Sequence, residues 1–185
     1  MSRQAWTEAL AWTDTDGTAV ANTTTETILF PNVTIPANYM QYGRVLYSEY
    51  WGKFSVTATP GLRFRLRWGG VSGTVLADSG NITSASGVTN AIWGIRLRTQ
   101  TRANGSSGSL FSIGQAVCYG AAAPTVGSAT GAPGIAAMGN AGITAPVATT
   151  VDLTADTALA ITITWTAASA SNTITGTHLH HDSTN

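Results

Sequence analysis

The stretch Leu62-Arg63-Phe64-Arg65-Leu66-Arg67-Trp68, closed by Gly69-Gly70, decides the fold class. Apolar and charged residues alternate in it without a break. Successive side chains of a β-strand point to opposite faces. The period therefore puts Leu62, Phe64, Leu66 and Trp68 on one face and three arginines on the other. A helix would distribute those arginines around its axis. The whole chain holds only nine lysines and arginines, so three on one strand face are a concentration. The segment specifies a sheet with one face in a core and the other facing water or a partner.

Outward from this strand the pattern recurs. In Trp93-Gly94-Ile95-Arg96-Leu97-Arg98-Thr99 the apolar residues again oppose two arginines, and Leu159, Ile161, Ile163 and Trp165 alternate with Ala160, Thr162 and Thr164. Thr27 to Phe30 reads as a short strand stopped by Pro31. Tyr42 to Val56 reads as a long aromatic-rich strand with a central bend at Gly52. Thr74 to Ala77 and Leu110 to Tyr119 complete the interior set. Asn172 to His180 closes the chain, with a parity break near Gly176 that predicts a bulge. No amphipathic helix of useful length interrupts the series. About eight to ten strands with turn signals at short spacing predict an all-β, antiparallel, jelly-roll-like β-sandwich. The immunoglobulin-like alternative lacks its Cys–Trp–Cys pattern.

Two segments stand apart. Residues 1–27 are polar and threonine-rich and read as an extended N-terminal arm or a first strand, ahead of a sandwich domain at 28–185. Residues 120–146 shift to Ala, Gly and Pro without charge, which predicts a long loop or interaction arm, since such a length exceeds a plain connector.

At 185 residues the chain fits one domain. Charged residues make up 10% and the formal net charge is zero, against a usual quarter charged. There is no basic excess, which argues against direct nucleic-acid binding. No apolar run is long enough for a membrane-spanning helix. The N-terminus shows no signal-peptide pattern, so synthesis in a cytosol without a cleaved leader is expected. Thirty threonines suit strands. Low charge gives little self-repulsion and points to life in an assembly. Cys118, the sole cysteine, lies in an apolar stretch and reads as a small buried hydrophobe.

Catalytic patterns are missing. The acids are scattered, Asp14 and Asp16 beside Gly17 are turn residues without the rest of a calcium loop, and neither a G-x-S-x-G elbow nor a phosphate-binding loop occurs. We therefore expect no enzymatic activity and no cofactor. His178 and His180 share one strand face, a pair that can hold a transition metal where several chains meet, or simply end a polar strand. Arg63, Arg65, Arg67, Arg96 and Arg98 form one docking face for acidic groups if their strands are neighbours; otherwise they are solvated. Trp68, Trp93 and Trp165 share parity with core residues. Trp6, Trp12 and Trp51 remain as interface anchors, or as sugar-stacking platforms of the kind found in carbohydrate-binding modules. Between the two modes of attachment, anchoring by the arm with Trp6 and Trp12 is favoured over the arginine face.

The stretch from Thr27 to Thr89, in particular FRLRWGGVSGTVLADSG from Phe64 to Gly80 followed by a Thr/Ser-rich strand and a second arginine-bearing strand, resembles virion structural proteins of tailed bacteriophages. The closing ASASNTITGTHL, from Ala168 to Leu179, is similar to endings of that group. The resemblance implies a capsid decoration (cement) protein or a head-fibre type β-sandwich. Its expected place is the virion, assembled in the host cytoplasm. Its expected partners are the major capsid protein or another virion protein, and copies of itself in a homotrimer that stabilises the shell. The alternative is a tail or head-fibre domain that binds a host surface glycan; a glycan-degrading enzyme is a third. The resemblance carries over no functional residue.

Overall fold

The computed structural model describes residues 6–120, 134–140 and 146–184, and every regular element among them is a strand. The first half holds β1 (Thr7–Trp12), β2 (Val20–Ala21), β3 (Thr27–Ile28), β4 (Val33–Ile35), β5 (Val45–Val56), β6 (Gly61–Trp68), β7 (Thr74–Asp78) and β8 (Ile82–Thr83). The second half holds β9 (Val88–Ala103), β10 (Gly108–Cys118), β11 (Gly134–Met138), β12 (Thr149–Val151), β13 (Thr157–Trp165) and β14 (Thr173–Thr184).

These strands form two antiparallel sheets. An eight-stranded sheet runs β1-β14-β5-β9-β10-β11, with β2 on β14 and β12 on β10. A six-stranded sheet runs β3-β13-β6-β7, with β4 on β13 and β8 on β6. The pairs β1·β14, β4·β13, β5·β9 and β6·β7 are nested, the first strand with the last and so inward. That nesting wraps a long β-ribbon around itself into a jelly roll, with β10 to β12 added beside β9.

The expected register of β6 holds. Leu62, Phe64 and Leu66 are fully buried and Trp68 nearly so, and β6 lies between β13 and β7. Its apolar face meets the other sheet, where Phe64 stacks on Trp93 at 5.1 Å between ring centroids. Trp165, Tyr50 and Phe54 fill the same layer. Cys118 is buried too, and burial pushes its thiol up to about 12.

Some expectations change. β5 continues as one strand through Gly52, and the register shift at this point lies on its partner, between Gly176 and His178. Gly52 answers a packing need instead, because a Cβ there would sit 2.0 Å from the Thr175 carbonyl oxygen and 2.6 Å from Trp93 Nε1. Within 1–27, residues 7–12 and 20–21 are strands paired with β14, and Val20 is buried. Of the segment 120–146, residues 121–133 and 141–145 lie outside the described residues, as do residues 1–5. Gly134–Met138, however, pairs along β10. Its alternation is hidden because Ala136 and Ala137 give no contrast between faces. Finally, the two arginine strands sit in opposite sheets, β6 in one and β9 in the other. No common patch of the five arginines exists, because the nested wrap sends its third pair, β5·β9, and its fourth, β6·β7, to different layers.

Candidate functional site

β14, β5, β9 and β10 lie side by side, and their outward residues form a continuous face. Cross-strand register arranges these in rows. One row runs Trp12, His180, Glu49, Arg96, Gln115. The next runs Asp182, Tyr47, Arg98, Ile113. On the other side lies His178, Trp51, Gly94, Val117. An open groove of about 490 Å³ follows the first two rows, lined among others by Tyr47, Glu49, Arg96, Arg98, Gln115 and His180.

Trp51 is held on this face by the strand beneath it and by its polar neighbours. A Cβ at Gly94 would lie 2.3 Å from its six-membered ring, so the indole rests directly on the bare backbone of β9. Its Nε1–H donates to Glu49 Oε1 at 2.7 Å, and Arg96 Nε–H donates to the same oxygen at 2.9 Å. The Arg96 guanidinium lies 5.2 Å from the Trp51 ring. Partial burial alone would raise the Glu49 carboxyl, but the hydrogen bonds from Trp51 and Arg96, with the Arg96 charge, outweigh it and hold the group below the usual carboxylate range. Glu49 thus stays ionised and fixes both neighbours.

Further along β9, Arg98 stacks on Tyr47 at 5.1 Å and Arg102 on Phe111 at 3.7 Å. His180 Nε2 stands 3.3 Å from Asp182 Oδ1, and the His178 and His180 rings are 6.4 Å apart. Among the described residues no three His, Cys, Asp or Glu side chains gather to hold a metal ion. The histidine pair therefore has no third ligand from its own chain there.

The arginines of β6 behave differently. Arg63 makes a paired contact with Asp78, the shortest at 2.6 Å, and Arg65 reaches both Asp78 at 3.0 Å and Glu26 at 2.6 Å. Arg67 grips Glu26 at 2.6 and 2.8 Å. For both acids burial opposes ionisation, yet the arginine hydrogen bonds outweigh it and hold the carboxyls below their ordinary values. Each of these three guanidiniums is paired within the chain, although the two carboxylates offset only two of the three charges, so they do not offer the free docking face that the sequence allowed.

Of the remaining candidates, Trp12 is exposed at the β1 edge of the groove face, beside His180. Trp6 is exposed just before β1. Trp12, Arg96 and Arg98 are thus brought to one face, and Arg63, Arg65 and Arg67 to the other sheet. Sequence reasoning passed over Tyr47, Glu49 and Gln115. The first two share the parity of Trp51 in Tyr42–Val56, opposite to Leu46, Tyr50 and Phe54, which is a usable signal. Gln115 has none, because its place depends on β10 pairing with β9.

No protein-family model and no curated protein matches this chain. Among solved structures it is similar to the CBM2 module of the evolved Dit of Lactobacillus casei BL23 phage J-1. That likeness has 13% identity and a TM-score of 0.30, covering 82% of this chain and 67% of that one.

Proposed function

We propose that the protein is a non-enzymatic virion protein of a tailed bacteriophage, a tail or head-fibre domain that binds a host-surface glycan on the outer face of its eight-stranded sheet. The observation that carries this reading is Trp51, laid flat on Gly94, pinned through its N–H by Glu49 and bordered by Arg96 and His178. A pyranose ring presents an apolar face of C–H groups and a rim of hydroxyls. A flat indole suits the first, and guanidinium, amide and imidazole groups suit the second. Side chains already held in place lose little entropy on binding. The virion assignment rests on the sequence resemblance from Thr27 to Thr89 and from Ala168 to Leu179.

A glycan array, followed by calorimetry on the best ligand, tests this. Trp51→Ala is expected to weaken binding about tenfold or more, with an unchanged far-ultraviolet circular dichroism spectrum. Undiminished binding by that variant would remove the reading, and gold-labelled antibody should mark tails or fibres of particles.

One observation favours a second reading, the capsid decoration protein. Ile92, Ile113 and Ile135 are about half exposed on this same face, as on a surface that another protein covers. A homotrimer, or the major capsid protein, seated there would bury Trp51. Light scattering that gives a trimer mass, with label on the shell, would select it over the glycan reading.

A further inference from the structure

We infer that the ligand of this face is anionic, and that Arg98 and Arg102 receive carboxylate, phosphate or sulfate groups of a polysaccharide. The inference rests on the glycan-binding reading above and adds the charge class of the ligand.

The chain builds two strands with arginines at alternate positions and treats them in opposite ways. On β6 every arginine meets a carboxylate of the chain. On β9 the outward Arg96, Arg98 and Arg102 each stack on an aromatic ring of a neighbouring strand, and only Arg96 is given a carboxylate, Glu49. Among the described residues no carboxylate lies within 4.0 Å of Arg98 or Arg102. Asp182, the acid in the row of Arg98, stands on the far side of Tyr47 and contacts His180.

Stacking on a ring covers one face of a guanidinium and restrains it, while its N–H edge stays open to a bidentate acceptor. The chain has thus oriented two cations without neutralising them. Arg98 lines the central groove, and Arg102 lines a second hollow of about 410 Å³ near Tyr42 and Gln100. Four residues along a strand separate the two Cα atoms by about 13 Å. One small anion does not bridge that distance, whereas a polymer with repeated charges does. A polysaccharide also uses the flat Trp51 beside the groove, which an acidic protein surface has no special need of.

The test is an array that pairs uronate-, phosphate- and sulfate-bearing glycans with their esterified, dephosphorylated or desulfated counterparts. The protein is expected to bind the charged member of a pair about tenfold or more tightly, with affinity falling as salt rises. Which charged member binds identifies the source of the anion. Arg98→Gln combined with Arg102→Gln should erase the preference while binding through Trp51 persists and the melting temperature holds. Equal binding of charged and neutral partners, or a double variant that keeps the preference, overturns this inference and leaves glycan binding standing. Binding to poly-glutamate with no glycan bound, or no binding at all, overturns both.

Discussion

A methyl group at position 94 would collide with the ring of Trp51, and that single absence of a side chain makes the platform flat. Gly94→Ala is therefore expected to tilt the indole off the strand, change the near-ultraviolet circular dichroism, and reduce glycan affinity nearly as far as Trp51→Ala. Its effect on folding should stay within about 1–2 kcal/mol, because the added methyl meets only a partly exposed side chain. Beneath the same face His181 is the counter-example, a polar residue chosen for the core. Its ring is buried between Ser48 Oγ at 2.8 Å from Nδ1 and Tyr50 Oη at 3.3 Å from Nε2. Burial, helped by the charge of His180, lowers its pKa from 6.5 to about 4. An unfolded histidine takes its proton near pH 6.5, while folded His181 resists to about pH 4. The unfolded state thus binds more protons in that interval, and stability falls as pH drops through it, by about 3 kcal/mol in all. Chemical denaturation at pH 7, 5.5 and 4 measures the slope. His181→Gln should flatten it, and an unaltered slope in that variant would assign the effect elsewhere.

At the scale of elements, β6 owes its place to two forces on its two faces. Phe64 and Leu66 bury apolar area inward, and Glu26 and Asp78 hold the three arginines outward in ion pairs. Replacing Asp78, which is almost fully buried, by Asn leaves Arg63 and Arg65 without their shared anion. A loss of about 2–4 kcal/mol is expected, read as a lower urea midpoint. The sign with pH follows from the lowered carboxyl values. This stabilisation is present above the ordinary carboxyl range of about 4 and disappears as pH falls through the lower folded values, below the window of His181. Asp78→Asn should therefore weaken the dependence below pH 4 and leave the slope above it intact. The inward half of β6 was legible in its sequence, because strict alternation with large contrast allows one register. The outward half was not. Asp78 reaches Arg65 through the β6–β7 register, and Glu26 comes from the chain just before β3, so neither partner is encoded near the arginines. The same limit hid the groove: the parity of Tyr47, Glu49 and Trp51 is local, but their neighbours Arg96 and His180 depend on which strands flank β5. Contrast failed altogether at Gly134–Met138, where small residues on both faces erase the period.

For the molecule as a whole, the nested wrap makes the two ends of the chain neighbours. β1 hydrogen-bonds to β14 from Thr7 opposite Thr184 to Trp12 opposite His180, so the outermost strand of the groove face is the first in sequence. Its removal separates two roles that the sequence alone had merged in a detachable arm. Leu10 and Ala11 pack against the core, and β1 covers the backbone edge of β14 next to His181. Trp12 faces outward beside His180, on the surface proposed to bind the ligand. Deleting residues 1–12 should thus cost about 2–4 kcal/mol, from lost apolar burial and uncovered edge hydrogen bonds. An unpaired β14 edge is also a template for other chains, so the truncated protein should self-associate as concentration rises. Trp12→Ala should do neither, since its side chain is solvated, and should change only ligand affinity. Thermal melts and sedimentation of the two variants side by side decide the matter. A truncated protein as stable and monodisperse as the full chain would return β1 to the status of a free arm. A destabilised Trp12→Ala would mean that its indole packs into the fold.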